Sequence, residues 1–217
     1  MSRDETALGL RMGVLAGNAV ALLCIAYAVV LGIGLLTLPS PDSPIRDPWF
    51  TLMELLILVL APTMVAFAIG LHAWSPAQRK SCALLGVVFM SMCALVTCCV
   101  HFAVLTLSRQ PDFQTGHWQT LVFAFRWPSV VYTLDVLAWD AFFPLAALCA
   151  ALAIQGSGLA ALARRLLYAS AALALVGLAG VPLGNMNVRN IGIVGYVVPF
   201  PIATFLLAIV FRRDASR

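Results

Sequence analysis

Long apolar stretches separated by short polar ones run through the whole of this chain. Each stretch approaches the roughly 20 residues that an α-helix needs to cross a hydrocarbon core of about 30 Å. We therefore predict an all-α integral membrane protein, folded as a single bundle of six transmembrane helices. The predicted spans cover residues 12–38, 49–74, 82–107, 128–154, 166–183 and 191–211.

The fourth apolar stretch is unusual because it contains two carboxylates, Asp135 and Asp140. A charged side chain at the centre of a membrane helix costs roughly 2.5–3.5 kcal/mol, so it normally faces the bundle interior and finds a partner there. Five residues at 100° each place the two acids about 140° apart around an α-helix. Either this helix has polar neighbours on two sides, or local unwinding near Pro144 turns both acids toward one cavity.

Helix rise places further polar residues at a common depth in the outer half of the bundle. Glu54, His101 and Asp135 fall about 8–12 Å below the outer surface, and Asp140 lies deeper. The other polar candidates near this end are Tyr132, Arg126, Asn185, Asn187 and Arg189, with the last three in an outer loop. This asymmetry favours an outward-facing polar cavity that binds a small ligand or ion, and a structural hydrogen-bond network is the alternative.

Two other regions bear on that cavity. Residues 108–127 are rich in aromatic residues but too short to span, so we expect an interfacial or re-entrant segment that could cover an outward pocket. In the last span, Pro199 and Pro201 interrupt the helical pattern, and such breaks in a membrane are tolerated where protein or water satisfies the freed carbonyls. Breaks in the fourth and sixth spans would allow gating.

Composition supports the membrane assignment. The 217 residues are 62% hydrophobic and 10% charged, with a mean hydropathy of +0.99, whereas soluble domains carry about 25% charged residues. The apolar run that begins at Met12 is too long for a signal peptide, and it follows acidic residues. We treat residues 1–217 as one domain in contact with the lipid bilayer.

The basic residues predict the orientation. Nine of the thirteen lie at the termini and in the second and fourth loops, and four lie in the other loops. Because cytoplasmic loops are enriched in Lys and Arg, both termini should be cytoplasmic. The basic residues sit at span ends rather than in a run, which argues against nucleic-acid binding. Twelve of them are Arg, a bias that favours a bacterial inner membrane as the location of this multi-pass protein.

Three classes of function remain open from the sequence. The first is a transporter-like or sensor-like protein with a ligand or proton-relay site at the outer acids. The second is a membrane-embedded enzyme, metal-dependent or lipid-modifying, in which His101 and buried carboxylates act; Glu54, His101 and Asp135 are acceptable metal ligands. The third is an accessory or scaffold subunit. No nucleotide-binding or hydrolase motif is present and we predict no cofactor, while a homo-oligomer or a partner membrane protein stays open.

Overall fold

The computed structural model describes residues 3–40 and 43–216, and all regular structure in these two ranges is helical. Six helical segments are long and apolar enough to cross a membrane. This finding confirms the predicted count of six and defines a polytopic membrane protein in contact with lipid. The six spans are Ala7–Leu36, Trp49–Trp74, Ala77–Arg109, Val130–Ala153, Leu159–Leu178 and Met186–Ala215.

The described residues contain nine α-helices and four tighter or wider helical turns. The α-helices are α1 (Arg3–Leu36), α2 (Trp49–Trp74), α3 (Lys80–Thr106), α4 (Pro111–Gln114), α5 (Val130–Val136), α6 (Phe143–Ala153), α7 (Leu159–Leu178), α8 (Met186–Val197) and α9 (Pro199–Ala215). Ala77–Arg79 and Leu107–Arg109 are 3₁₀ turns, and Gln119–Phe123 and Leu137–Phe142 are π-helical turns. The fourth span is α5, the second π turn and α6 in one continuous rod.

Of the six spans, only the second has its predicted bounds, and the largest shift is in the fifth. The fifth begins at Leu159, seven residues before the predicted start, so Arg164 and Arg165 lie within its first two turns. Long cationic side chains near a helix end can extend toward the membrane surface, which makes this position acceptable. The sixth begins at Met186 rather than at residue 191, because Asn185 caps α8 by accepting a hydrogen bond from the Asn187 backbone N–H.

The predicted break in the sixth span is present. Helix α8 ends at Val197 and α9 begins at Pro199, so that only Val198 separates the two helices. Proline cannot continue a helix regularly because it lacks the backbone N–H and its ring contacts the preceding turn. The break leaves both halves of the span within one apolar segment.

The six spans form a closed ring in chain order. Helices α1, α2, α3, α6, α7 and α9 each pack against the next, and α9 packs against α1. Phe67, Phe143 and Phe200 fill the interior and are at most 2% exposed. Apolar residues on the outside of α1, such as Leu15 and Leu22, are more than 60% exposed and would face lipid.

An even number of spans places both ends of the described chain on the same side of the ring. We call this the terminal side, and we call the opposite side, where α2 and α5 begin, the distal side. The assignment of the terminal side to the cytoplasm stays a prediction. The segment that joins α3 to α5 also lies on the distal side and contains only short helical turns; its interfacial position likewise stays a prediction.

Candidate functional site

A charged cluster is buried inside the distal half of the ring. It consists of Glu54, His101, Asp135, Asp140 and Arg189, and the term "buried cluster" refers to these five side chains throughout. Their exposed fractions are 2%, 5%, 9%, 0% and 5%, in that order. They come from four of the six spans: Glu54 from the second, His101 from the third, both aspartates from the fourth and Arg189 from the sixth.

Arg189 is the member that joins the two aspartates. Its Nη2 donates to Asp135 Oδ2 at 2.6 Å, and its Nε donates to Asp140 Oδ2 at 3.0 Å. The guanidinium carbon also lies 4.6 Å from the centre of the Tyr132 ring, which is the geometry of a cation–π contact. The sequence predicted Arg189 in an outer loop, and this was wrong: it lies in the first turn of α8 and is buried.

His101 extends the cluster to the second span. Its Nδ1 lies 2.8 Å from Glu54 Oε2, and its Nε2 lies 3.9 Å from Asp135 Oδ1. The imidazole therefore has a carboxylate on each side. The contacts run in order from Glu54 through His101, Asp135 and Arg189 to Asp140, and every neighbouring pair in this series lies within ion-pair distance.

The π turn explains how one arginine reaches two aspartates five residues apart. An α-helix would separate Asp135 and Asp140 by about 140°, but Leu137–Phe142 is π-helical, with hydrogen bonds that span five residues. One wide turn thus brings both acids to the same side of the fourth span. Pro144 lies two residues after this turn. Its ring would crowd the carbonyl of Asp140 in a regular α-helix, and a wider turn relieves that contact. Of the two alternatives that the sequence left open, the structure shows local unwinding of the fourth span, in the form of this π turn.

Two glycines allow α7 and α8 to approach the acids. A Cβ atom on Gly192 would lie 2.5 Å from Asp140 Oδ1, and one on Gly177 would lie 2.7 Å from the Gly192 Cα. Small residues let membrane helices pack at such short separations. Arg189 lies one turn before Gly192 on the same helix, so this close packing also carries the guanidinium to the aspartates.

Some of the cluster's polar surroundings are not fully satisfied. Within the described ranges, Asp140 Oδ1, Thr97 Oγ1 and Ser170 Oγ are buried without a hydrogen-bond partner. Thr97 lies one turn before His101 on α3, and Ser170 lies on α7, one turn before Ala174. Tyr27 and Tyr196 lie near enough to interact electrostatically with the charges of the cluster, although sequence reasoning missed both because each tyrosine sits in an apolar run.

Aromatic side chains enclose the cluster on two sides. On the terminal side, Trp139, Phe143, Tyr196 and Phe200 form a connected layer, with ring centres 4.9–5.8 Å apart in each contacting pair. On the distal side, the Phe125 ring stacks on His101 with a centre-to-centre distance of 5.1 Å. Phe125 belongs to the segment between α3 and α5, so that segment covers the cluster.

An exposed contact ties this covering segment to the start of α2. Arg109 Nη2 donates to Thr51 Oγ1 at 2.7 Å, and Arg109 Nη1 lies 3.4 Å from Asp47 Oδ2. The Thr51 backbone N–H donates to Asp47 Oδ1 at 3.0 Å. The Thr51 hydroxyl is the main cause that lowers the pKa of Asp47 below its ordinary value, and Arg109 adds to the effect. We call Asp47, Thr51 and Arg109 the distal latch.

The remaining predicted site residues lie outside the cluster. Arg126 is exposed and is not a partner in any ion pair of the buried cluster. Asn185 and Asn187 are exposed as well, and Asn185 serves as the cap of α8. Of the candidates other than the acids and His101, only Tyr132 and Arg189 contact the buried cluster or belong to it.

The geometry does not favour the metal site that the sequence allowed. No group of three or more His, Cys, Asp and Glu side chains among the described residues is arranged to hold a metal ion. His101 Nδ1 and Glu54 Oε2 point at each other, and Asp135 Oδ2 is bonded to Arg189, so the three side chains do not converge on a common centre.

Two cavities in the structure lie away from the cluster. One is an apolar void lined by residues such as Phe67, Gly86 and Ala146. The other is an open groove on the distal half, lined by residues such as Leu121, Pro128 and Leu134. Neither is lined by a member of the buried cluster, so the outward-facing polar cavity stays a prediction.

Fold and site together define the class: a polytopic α-helical membrane protein with a carboxylate-rich charged cluster enclosed in one half of its bundle. Comparison of the chain with protein families, with curated proteins and with solved structures gives no match. The function is therefore argued from the site alone.

Proposed function

We propose that this protein is a transporter-like or sensor-like membrane protein that binds a small cation, or a small ligand with a cationic group, at the buried cluster. The observation that carries the proposal is the burial of three carboxylates, one histidine and one arginine in a single connected series. Ionisable residues inside membrane spans are costly, and they commonly mark ion pathways and proton relays.

Charge arithmetic supports a cationic ligand. Three ionised carboxylates and one guanidinium sum to −2 with a neutral His101 and to −1 with a protonated one. An uncompensated charge in a low-dielectric interior costs several kcal/mol. The cluster is therefore short of positive charge, and one further cation would bring it closer to neutrality.

The covering segment supports access from the distal side. Phe125 is the ring that separates His101 from that side, and the distal latch holds the same segment against α2. The opposite direction is filled by the aromatic layer of Trp139, Phe143, Tyr196 and Phe200. We infer an outward-facing cavity that forms when the segment moves and that is closed in this conformation.

The competing classes receive less support. An enzyme that uses His101 as a base would need a ring nitrogen free to meet a substrate, but both nitrogens face carboxylates. A scaffold role remains the outcome to exclude, because buried ion pairs can also orient helices.

A thermal-stability screen of the purified full-length protein tests the proposal. Wild type, Asp135→Asn and the exposed control Asp112→Asn would be melted across pH and in sodium, potassium, magnesium, calcium or small organic amines. We expect at least one condition to raise the Tm of wild type and Asp112→Asn but not that of Asp135→Asn, because the variant lacks a cluster carboxylate. Equal responses of all three proteins under every condition would favour the scaffold role.

A further inference from the structure

One carboxylate oxygen of the buried cluster has no hydrogen-bond partner. Asp140 Oδ2 accepts from Arg189, but Asp140 Oδ1 is buried and unbonded within the described ranges, and the residue is 0% exposed. By contrast, Asp135 Oδ2 accepts from Arg189, and Asp135 Oδ1 faces His101. An orphaned buried oxygen in a charged site calls for a bound water, an ion or a proton.

The packing around Asp140 Oδ1 leaves a proton as the species that fits. The position a Gly192 Cβ would occupy lies 2.5 Å from this oxygen, 3.3 Å from the Gly177 Cα and 3.5 Å from the Ala174 Cα. The backbones of α7 and α8 thus crowd the oxygen. A buried water needs room and two to four polar partners, and a metal ion needs several ligands, whereas a proton adds almost no volume and removes the charge of the buried carboxylate.

The groups that face Asp140 are consistent with this choice. Asp135, on the same span, carries a charge of the same sign. Helix α8 contributes Arg189 and Tyr196, and helix α3 contributes the Cys93 thiol. Helix α7 presents Ala174 and Gly177, and α6 continues the span with apolar residues. Arg189 is the one cation among these groups, and it is shared with Asp135.

We propose that Asp140 is a carboxylic acid in this closed conformation and that its Oδ1 carries the exchangeable proton of the buried cluster. This inference rests on the proposed function and names its ligand: the cation that the cluster binds is H⁺. With His101 and Arg189 both charged, this one proton makes the five side chains neutral. On release, the O–H bond breaks, the proton passes to water, and the carboxylate left behind is paired with Arg189.

Infrared difference spectroscopy on the full-length protein in nanodiscs tests the assignment. A protonated carboxylic acid has a C=O stretching band that is resolved from carboxylate bands and shifts in D₂O. We expect one such band near neutral pH in wild type and in the exposed control Asp112→Asn, and its complete loss in Asp140→Asn. In Asp135→Asn and Glu54→Gln, which lack one negative charge, we expect the band to vanish at a lower pH than in wild type, because the proton is no longer needed for neutrality. If Asp140→Asn does not fold, the wild-type spectrum and the other three variants still decide the assignment.

Two results would overturn the proposal. The first is a wild-type spectrum without a protonated-acid band near neutral pH. The second is a protonated-acid band that persists in Asp140→Asn. The infrared result tests only the proton on Asp140. The proposed cation site would still stand if the thermal-stability screen found a cation that stabilises wild type but not Asp135→Asn. The two proposals can therefore be contradicted independently.

Discussion

Arg189 holds two buried carboxylates in place with different nitrogens of one guanidinium. This planar, forked arrangement of donors is specific to arginine, because lysine presents a single compact charge. Removal of one partner from a buried ion pair leaves an uncompensated charge, which is more damaging than the absence of the whole pair. At the scale of single residues, Arg189 is therefore the side chain on which the geometry of the site depends.

We expect Arg189→Ala to lower the free energy of unfolding by about 3–5 kcal/mol, because it strands Asp135 and Asp140 in the interior. Arg189→Lys should recover only part of the loss. Adding Asp135→Asn and Asp140→Asn to Arg189→Ala should recover more, since residues in one network are not additive. Denaturant or thermal unfolding in detergent measures these differences. Wild-type stability in Arg189→Ala would show that the ion pairs do not hold the site together.

At the scale of helices, the contact between α7 and α8 places the arginine and the aspartate together. This contact depends on Gly177 and Gly192, whose Cα atoms approach closely. The chain offers a matched control in Gly32 of α1, where an added Cβ meets no described atom within 4 Å. Gly192 and Gly32 both lie inside helices, so a change to alanine alters helix propensity by the same amount at the two positions.

Gly192→Ala should destabilise the protein by about 1–3 kcal/mol, because overpacking forces α8 and the Asp140 carboxylate apart. Gly32→Ala should instead be neutral or stabilise by up to about 1 kcal/mol, since alanine favours the helix. Parallel thermal melts of the two variants provide the comparison. If both behave alike, the close α7–α8 contact is not a determinant of the site.

The distal latch gives a pH prediction for the segment that covers His101. The pKa of Asp47 is lowered in the folded protein, chiefly by the Thr51 hydroxyl. A folded-state pKa below the unfolded one of about 3.9 means that the latch's contribution is present above that pH. The contribution is lost as the pH falls through the folded-state value, and it is small because the side chains are exposed.

Asp47→Asn should therefore remove this acid-range dependence and raise hydrogen exchange in residues 107–128 at neutral pH. Asp112→Asn, an exposed carboxylate on the same side, should change neither. Hydrogen exchange followed by mass spectrometry at acidic and neutral pH measures both effects. Unchanged exchange in Asp47→Asn would show that the latch does not restrain the covering segment.

At the scale of the whole molecule, the ring encloses a polar half and an apolar half. The buried cluster occupies the distal end, and Phe67, Phe143 and Phe200 fill the rest. The orientation predicted from Arg and Lys positions makes the distal side the outer one. The site would then open away from the cytoplasm.

Reporter fusions test that orientation. A reporter active only in the cytoplasm should be active at the C-terminus and inactive when inserted at Gly116, an exposed position on the distal side where an added Cβ meets no described atom within 4 Å. A reporter active only outside the cytoplasm should give the converse pattern. Reversed results would place the termini outside and the cluster on the cytoplasmic side.

The sequence allowed the six spans and the common depth of Glu54, His101 and Asp135 to be predicted, because hydropathy and helix rise act along one helix at a time. It did not allow the position of Arg189 to be predicted, since an arginine beside three asparagines resembles a loop until a partner in another span is known. The sequence offered local unwinding near Pro144 as one of two arrangements for Asp135 and Asp140, but hydropathy could not choose between them because a π turn has no hydropathy signal. Hydropathy and helix rise therefore could not predict which residues of different spans contact one another.

The most direct measurement is the charge displaced when a cation binds to the protein in a membrane. Proteoliposomes on a solid support would be exposed to rapid steps in pH or in the cation identified by the thermal-stability screen. We expect a transient current in wild type and in Asp112→Asn that is absent in Asp135→Asn, whether or not transport follows. A current equal to that of protein-free membranes, or one unchanged in Asp135→Asn, would contradict a cation site at the buried cluster.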